Sequence, residues 1–323
     1  MQLSRRPSPA LLRIIEDRLP ALRDEVKAFK IGTDARFNDH LVSQFPNWPD
    51  IGPPQRMVLA GRYSIQTLIG QGGICKVYAG LDTRFNRIVV VKVLREEFTN
   101  PDICPIVFNT FVRESAALTC LNHPNLVSGR GLAQFSNGTL FFPMEFVEGM
   151  LLETLTMRDP LSWCRIRSLL LQLCDAVIEL HKHGIIHRDI KPTNILVTAG
   201  DNSTEQLKLL DLGLMRYLAE TLPSDSPDIA RSRIGTEDYS APEQNLGTEA
   251  SPRADIYSVG VTVYYLLSGD IPRANFKPLS EVAYSRQTPK ILDIILKTAL
   301  ARDPEKRFRS AQAMKDAIED CPG

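Results

Sequence analysis

Neither sign of charge predominates in this sequence: 38 lysines and arginines stand against 38 aspartates and glutamates. A chain so balanced has no global field with which to hold nucleic acid or an anionic membrane, and any phosphate it binds must be bound locally. Paired cysteines are missing as well. Cys75, Cys104, Cys120, Cys164, Cys174 and Cys321 are scattered, without a C-x-x-C pair or a histidine-rich neighbourhood. That argues against a zinc site and a disulfide framework and fits a reducing, cytoplasmic setting. Long apolar runs are absent too. The longest, around Val259 to Leu267, falls far short of a bilayer span, and the N-terminal MQLSRRPSPALLRIIEDRL carries charges inside its apolar stretch. The expectation is a soluble chain, or the soluble part of a longer one. With 323 residues, there is room for about two compact units of roughly 150 residues each.

The pattern of what is present changes along the chain. Residues 9–29 carry Leu11, Leu12, Ile15, Leu19, Leu22, Val26 and Phe29, which predicts a helix with one apolar stripe, interrupted or restarted near Pro20. The connector FPNWPDIGPP reads as an irregular linker, so residues 1–56 form an N-terminal helical extension and linker. A bare stripe is costly in water, and packing on the body of the protein or self-association as a homodimer is expected. From Tyr63 short strands follow: YSIQTLIG, KVYAGLD and RIVVVKVL, with Asp82 and Asn86 as turn residues, predicting an antiparallel sheet. After Pro160 the period turns helical at Ile166, Leu169, Leu170, Leu173, Val177 and Leu180, with Ser162 placed to cap. Ser251-Pro252 then opens DIYSVGVTVYYLLSG, a helix apolar nearly all round and closed by Gly269. The fold class expected is α+β: a small β-rich lobe, a larger helical lobe and a cleft between them where ligands lie.

Four segments carry chemistry. GQGGICKV sits between two strands, so it is not a dinucleotide fingerprint, which needs a following helix. Its glycines let backbone close over phosphate oxygens without a Cβ in the way. Lys92, one strand downstream, can point its ammonium at the same place, and Glu114 on a following helix can pair with it. Alone, each of these is ordinary; their order makes them specific. HRDIKPTN, His187 to Asn194, gathers an aspartate, a lysine and an asparagine in one turn, and DLG, Asp211 to Gly213, follows a strand-like LKLL. Phosphoryl transfer needs an oriented nucleophile, a held metal and neutralised charge more than covalent help. Asp189 would accept a hydrogen bond from the attacking hydroxyl, Lys191 would neutralise the moving phosphoryl, and Asn194 with Asp211 would hold Mg²⁺, which prefers few protein oxygens.

With these residues in this order, the chain resembles the eukaryotic-type (Hanks-type) protein kinase family, more closely its bacterial serine/threonine kinases. The likeness spans about residues 62–319 through GQGGICKV, VVVK, Glu114, MEFVEG, HRDIKPTN, DLG, GTEDYSAPE, DIYSVG and DPEKRF. It implies a bilobal kinase domain over residues 57–323, with an N-lobe near 57–147 and a C-lobe near 148–319. It implies ATP and Mg²⁺ as cofactors and protein substrates as partners, in a role in bacterial signalling. Gly70, Gly72 and Gly73 would lie over the phosphates, with Met144 as gatekeeper and backbone groups of Glu145 and Val147 on adenine. Val77, Val90 and Leu196 would sandwich the ring. Thr236 would steady Asp189 and Lys191, as in the serine/threonine branch. Glu243 would pair with Arg307, and Asp255 would brace the catalytic loop.

Arg188 beside Asp189 implies a phosphate on the activation segment, for which Thr221, Ser224, Ser226 and Ser232 are available, so autophosphorylation is expected, the alternative being that the fixed carboxylates of Asp225 and Asp228 already supply the charge. The alternative is a pseudokinase that binds nucleotide without transfer; Lys92, Asp189, Asn194 and Asp211 are all retained, which favours the enzyme. Two departures stand out. Leu212 replaces a phenylalanine, a mild apolar exchange. Cys75 takes the place of the third loop glycine, and the resemblance puts its thiol at the loop tip beside Lys76, where a thiolate would be favoured and open to oxidation.

Overall fold

The segment RIVVVKVL alternates side chains between two faces and is rich in β-branched residues, and in the computed structural model it forms the middle of a sheet. Described are residues 57–59, 61–98, 105–135, 138–199, 204–212, 237–245, 251–272, 276–282 and 288–322. The N-terminal apolar stripe and linker, Gly213, the four candidate phosphorylation residues and Thr236 lie outside them. Two compact units divide the chain. Among the described residues, one runs to Leu121 and resumes over Ser128–Phe146; the other comprises Asn122–Val127 and everything from Val147.

The first unit is a six-stranded sheet in the order β1-β2-β3-β4-β6-β5, every neighbour antiparallel. Its strands are β1 (Met57–Leu59), β2 (Tyr63–Gln71), β3 (Cys75–Asp82), β4 (Arg87–Leu94), β5 (Ala133–Gln134) and β6 (Leu140–Glu145), and α1 (Pro105–Cys120) lies between β4 and β5 in sequence. The register pairs Val77 with Lys92, Val90 with Met144 and Lys92 with Phe142. α1 packs on that face, through Glu114 on Lys92 and the Phe111 ring 5.0 Å from Phe142. Side chains one position out of phase, Val89, Val91 and Val93, turn to the opposite face with Tyr63, Ile65 and Phe141.

At the β3–β4 turn Asn86 takes the left-handed φ of 47° expected of a turn residue. Asp82 opens this turn, its carbonyl accepting the Phe85 N–H at 3.2 Å, and it does more. It ends β3 with no solvent exposure, and its carboxylate accepts Arg62 Nε at 2.9 Å and Nη2 at 2.7 Å and the Arg84 N–H at 3.2 Å. Burial pushes that carboxyl up, but the Arg62 hydrogen bond and charge outweigh it and hold it below the ordinary carboxylate range. The residue type that suits a turn here also anchors the end of β3, because an arginine twenty positions away reaches it.

The second unit is mainly helical. It holds β7 (Met150–Leu151), α2 (Leu152–Arg158), α3 (Trp163–Lys182), β8 (Ile195–Ala199), β9 (Glu205–Leu209), α4 (Pro242–Asn245), α5 (Pro252–Ser268), α6 (Ile291–Ala299) and α7 (Ala311–Glu319), with β7-β8-β9 as a small antiparallel sheet. Ser162 caps α3, its side chain accepting from the Arg165 N–H. Ser251 caps α5, Pro252 occupies its first turn, and Gly269 ends it at φ 78°, a conformation that favours glycine. α5 is buried on almost every side. Arg307 anchors the end of this unit. Its guanidinium makes a two-pronged pair with Glu243 at 2.7 and 2.8 Å, donates to the carbonyls of Ala301 and Arg253, and lies 4.9 Å over the Tyr257 ring. Among the described residues, no helix is long and apolar enough to cross a membrane.

One position tests the sheet. A Cβ built on Gly80 would sit 2.7 Å from the Ser64 carbonyl oxygen of β2, a backbone atom that cannot swing aside. Gly80→Ala is expected to cost roughly 1–3 kcal/mol, read as a fall of several degrees in Tm; an unchanged Tm would show that β2 can move away.

Candidate active site

In the first unit, β2, β3, β4 and β6 bring one set of residues together: Gly70 opposite Val77, Val77 opposite Lys92, and Val90 opposite Met144. Lys92 is 4 % exposed and Glu114 fully buried, and the ammonium lies 2.7 Å from Glu114 Oε1. So isolated a charge is tolerated only when paired. The pair holds the ammonium at a set point on the sheet. Glu145 spends its N–H on the Ser128 carbonyl at 2.9 Å and its side chain on the Ser128 N–H.

The glycine turn is short and tied down. The Gly72 N–H donates to the Cys75 carbonyl at 2.8 Å, the Arg95 N–H donates to the Ile74 carbonyl at 3.0 Å, and Arg95 Nη1 reaches the Gly72 carbonyl at 3.4 Å. Gly73 is buried behind it. Cys75 is not at the tip of this turn. It opens β3 opposite Leu94 and is 6 % exposed, so alternation turns the thiol inward. The expectation of an accessible thiolate is corrected: reaction with oxidant needs access, and burial in apolar surroundings removes it.

In the second unit the octet beginning at His187 is organised around a residue 68 positions on. Asp255, fully buried on α5, accepts the His187 N–H on Oδ2 and the Arg188 N–H on Oδ1, each at 2.8 Å, and His181 Nε2 at 2.8 Å. Burial pushes this carboxyl up, but the His181 hydrogen bond and charge and the Arg188 N–H together hold it below the ordinary range. Arg188 sits at φ 69°, a left-handed backbone that costs such a residue of order 1–3 kcal/mol. The buried His187 ring accepts the Asp189 N–H at Nδ1 (3.2 Å) and donates from Nε2 to the Leu210 carbonyl (3.0 Å). Those partners select its tautomer.

Asn194 and Lys191 converge on Asp189. Asn194 Nδ2 donates to the Asp189 carbonyl and to Oδ2, both at 2.8 Å, and Lys191 Nζ lies 3.1 Å from Oδ2. With Nδ2 so engaged, Oδ1 is the end of the Asn194 amide that can ligate. The Leu210 N–H donates to the Asn194 carbonyl at 2.8 Å, so the residue before Asp211 is bracketed by both ends of the catalytic octet. Asp211 itself has φ 41°. Leu212 is 2 % exposed. Leu196 lies on β8 opposite Leu151, and Val147 is half-buried after β6. Reading the sequence assigned no role to His181, and His187 entered only as part of its motif. The signal available was a pair of histidines six apart at the end of an amphipathic helix, which by itself says nothing of the aspartate they share.

A family described as the protein kinase domain matches residues 63–321. The chain belongs to the protein kinase family. Among curated relatives of this kinase domain, serine/threonine-protein kinase pkn3 of Myxococcus xanthus is 32 % identical over 292 residues, covering 84 % of this chain and 52 % of its own length. Serine/threonine-protein kinase PknB of Mycolicibacterium smegmatis is 34 % identical over 275 residues, covering 80 % and 42 %. The chain thus spans about half or less of the curated relatives it matches. The PknI kinase domain of Mycobacterium tuberculosis superposes with a TM-score of 0.62 at 24 % identity, over 84 % of this chain and 99 % of that one. Rad53 1–466 in complex with AMP-PNP superposes with a TM-score of 0.60 at 25 % identity, over 80 % and 65 %. The sheet-bearing first unit and helical second unit are the α+β kinase fold.

Asp255 yields a pH test. Its folded-state value lies below the unfolded one, so the stability it contributes is complete above about pH 4 and is lost as pH falls through the lowered value. Asp255→Asn should lower Tm at neutral pH and flatten the acid limb of the Tm–pH curve; an acid limb as steep as the wild type's would mean other carboxyls set it.

Proposed function

We propose that this chain is a serine/threonine protein kinase that transfers the γ-phosphoryl of Mg-ATP to protein hydroxyls, with autophosphorylation of its own activation segment. The observation that carries the reading is the cluster on Asp189: Asn194 and Lys191 both grip its Oδ2, which orients the carboxylate as a base must be oriented. The names of the relatives at 32–34 % identity support it, as does the AMP-PNP bound by a solved neighbour.

The residues present fit nucleotide and metal. A Cβ on Gly70 would come no closer than 3.6 Å to its neighbours and one on Gly72 no closer than 3.8 Å. Among the described residues nothing requires glycine there, which suits something that approaches from outside, as phosphate oxygens would. Asn194 Oδ1 and the Asp211 carboxylate are hard oxygen donors of the type Mg²⁺ takes. Bound Mg-ATP would supply the phosphoryl group and the charge neutralisation between its phosphates. Lys92, held by Glu114, would bind phosphate oxygens. The Glu145 carbonyl and Val147 backbone would take the adenine edge, with Val77, Val90, Met144 and Leu196 against the ring. Asp189 would accept the proton of the attacking serine or threonine hydroxyl, and Lys191 would stand by the charge that develops. Thr236 belongs with Asp189 and Lys191 in this scheme, and the kinase domain extends over residues 57–323.

Asp189 touches the acceptor hydroxyl and not the nucleotide. Asp189→Asn should therefore keep Mg-ATP affinity in isothermal titration while losing at least about a hundredfold in phosphoryl transfer to a basic protein substrate; Asp211→Asn should lose metal-dependent binding as well. Equal affinity loss in the two would refute the division of roles. Gly72→Ala should leave Tm unchanged and weaken ATP binding, and unaltered binding would remove the glycine turn from the nucleotide site.

A further inference from the structure

The sheet of the first unit has two apolar faces, and the described residues account for the cover of one. α1 lies on the Lys92 face. On the other, Val89, Val91 and Phe141 are 0 % exposed, Ile65 2 %, Tyr63 4 % and Val93 8 %, with Tyr78, Ala133 and Phe135 packed around them. Lateral packing, such as Phe135 at 4.9 Å and Tyr63 at 6.1 Å from the Phe141 ring, leaves the tips of a row of side chains open to water unless something lies on top. Burial also raises the Tyr63 and Tyr78 phenols above their ordinary value, the mark of a face out of contact with solvent. Among the described residues this unit contains a single α-helix, and it is on the other side.

We infer that the N-terminal apolar stripe, Leu12, Ile15, Leu19, Leu22, Val26 and Phe29, is the cover of this face. Three observations select it. Within this unit, the other stretches outside the described residues, 60, 99–104 and 136–137, are too short to roof a sheet, whereas residues 1–56 are long enough and enter at Met57, the first residue of the edge strand β1. The spacing of the six residues alternates three and four, which sets them on one side of a helix. Divided at Pro20, helical runs over residues 12–19 and 20–29 would be about 12 Å and about 15 Å long, together enough for the about 24 Å across six strands spaced by about 4.8 Å. The intervening Arg13, Glu16, Asp17, Arg18, Arg23, Asp24 and Glu25 then face water. Since Val91 and Val93 flank Lys92 in β4, the same strand serves the N-terminal cover on one side and the Glu114 pair on the other. The inference does not depend on the kinase reading.

The test uses the full-length chain with p-benzoylphenylalanine in place of Phe135, a half-buried residue on this face. Irradiation should give a cross-linked monomer whose peptide map joins residue 135 to residues 12–29, and Ile15→Asp with Leu19→Asp should reduce that product several-fold. Should the double aspartate variant not fold, Ile15→Ala with Leu19→Ala is read the same way. A cross-link found in the dimer band would assign the face to a second copy. That result, a monomer linked only to peptides outside residues 1–56, no cross-link at all, or a yield unaffected by the stripe variants would each overturn the proposal.

Discussion

A single buried carboxylate, Asp255, is what the catalytic octet is built on. A charge without solvent exposure is costly unless each lone pair meets a donor, and here the donors are two successive backbone N–H groups and a histidine. Satisfying the carboxylate and shaping the loop are therefore the same act. Arg188 itself takes a left-handed conformation, φ 69°. The following residue, Asp189, then leaves the turn in a direction set by that strain. The His187 ring carries the constraint onward, to the Asp189 N–H on one side and the Leu210 carbonyl on the other.

The first unit solves a different problem, placing one lysine without letting it escape to water. Lys92 sits in a strand of β-branched residues where every other neighbour is apolar, and its partner Glu114 is buried on α1. Mutual attraction in low dielectric holds both, because neither can regain solvent without exposing apolar surface around it. The glycine turn beside it is braced through Arg95, whose backbone and side chain both hold loop carbonyls. Positioning by a buried ion pair and by backbone ties, rather than by a mobile surface side chain, suits chemistry that depends on alignment more than on covalent help.

The local elements and the identity of the reacting residues were legible in the sequence, and their reasons are local. β-branched alternation marks β3 and β4, a serine before each apolar run marks the starts of α3 and α5, and a glycine after the last turn of α5 ends it. HRDIKPTN packs the base, the lysine and the amide within eight residues, so their proximity is nearly covalent. The reading of Asp82 as a turn residue held but missed its burial, and that of Cys75 as an exposed thiol failed, for one cause. Both depend on what lies across the sheet, Arg62 for one and Leu94 for the other, and neither neighbour is visible from the residue's own surroundings in the chain.

Sequence alone determined which residue types are available, their order, and the period that assigns each stretch to strand or helix, because those depend on steric preferences acting over a few residues. Tertiary structure decided which of them share a carboxylate, which strand face is covered and which thiol is withdrawn from water. Asp255 and His187 are 68 positions apart, and Arg307 meets Glu243 across 64. Contacts of that span are selected by burial and by the satisfaction of polar groups in the folded core, and these exist only once the chain has closed upon itself.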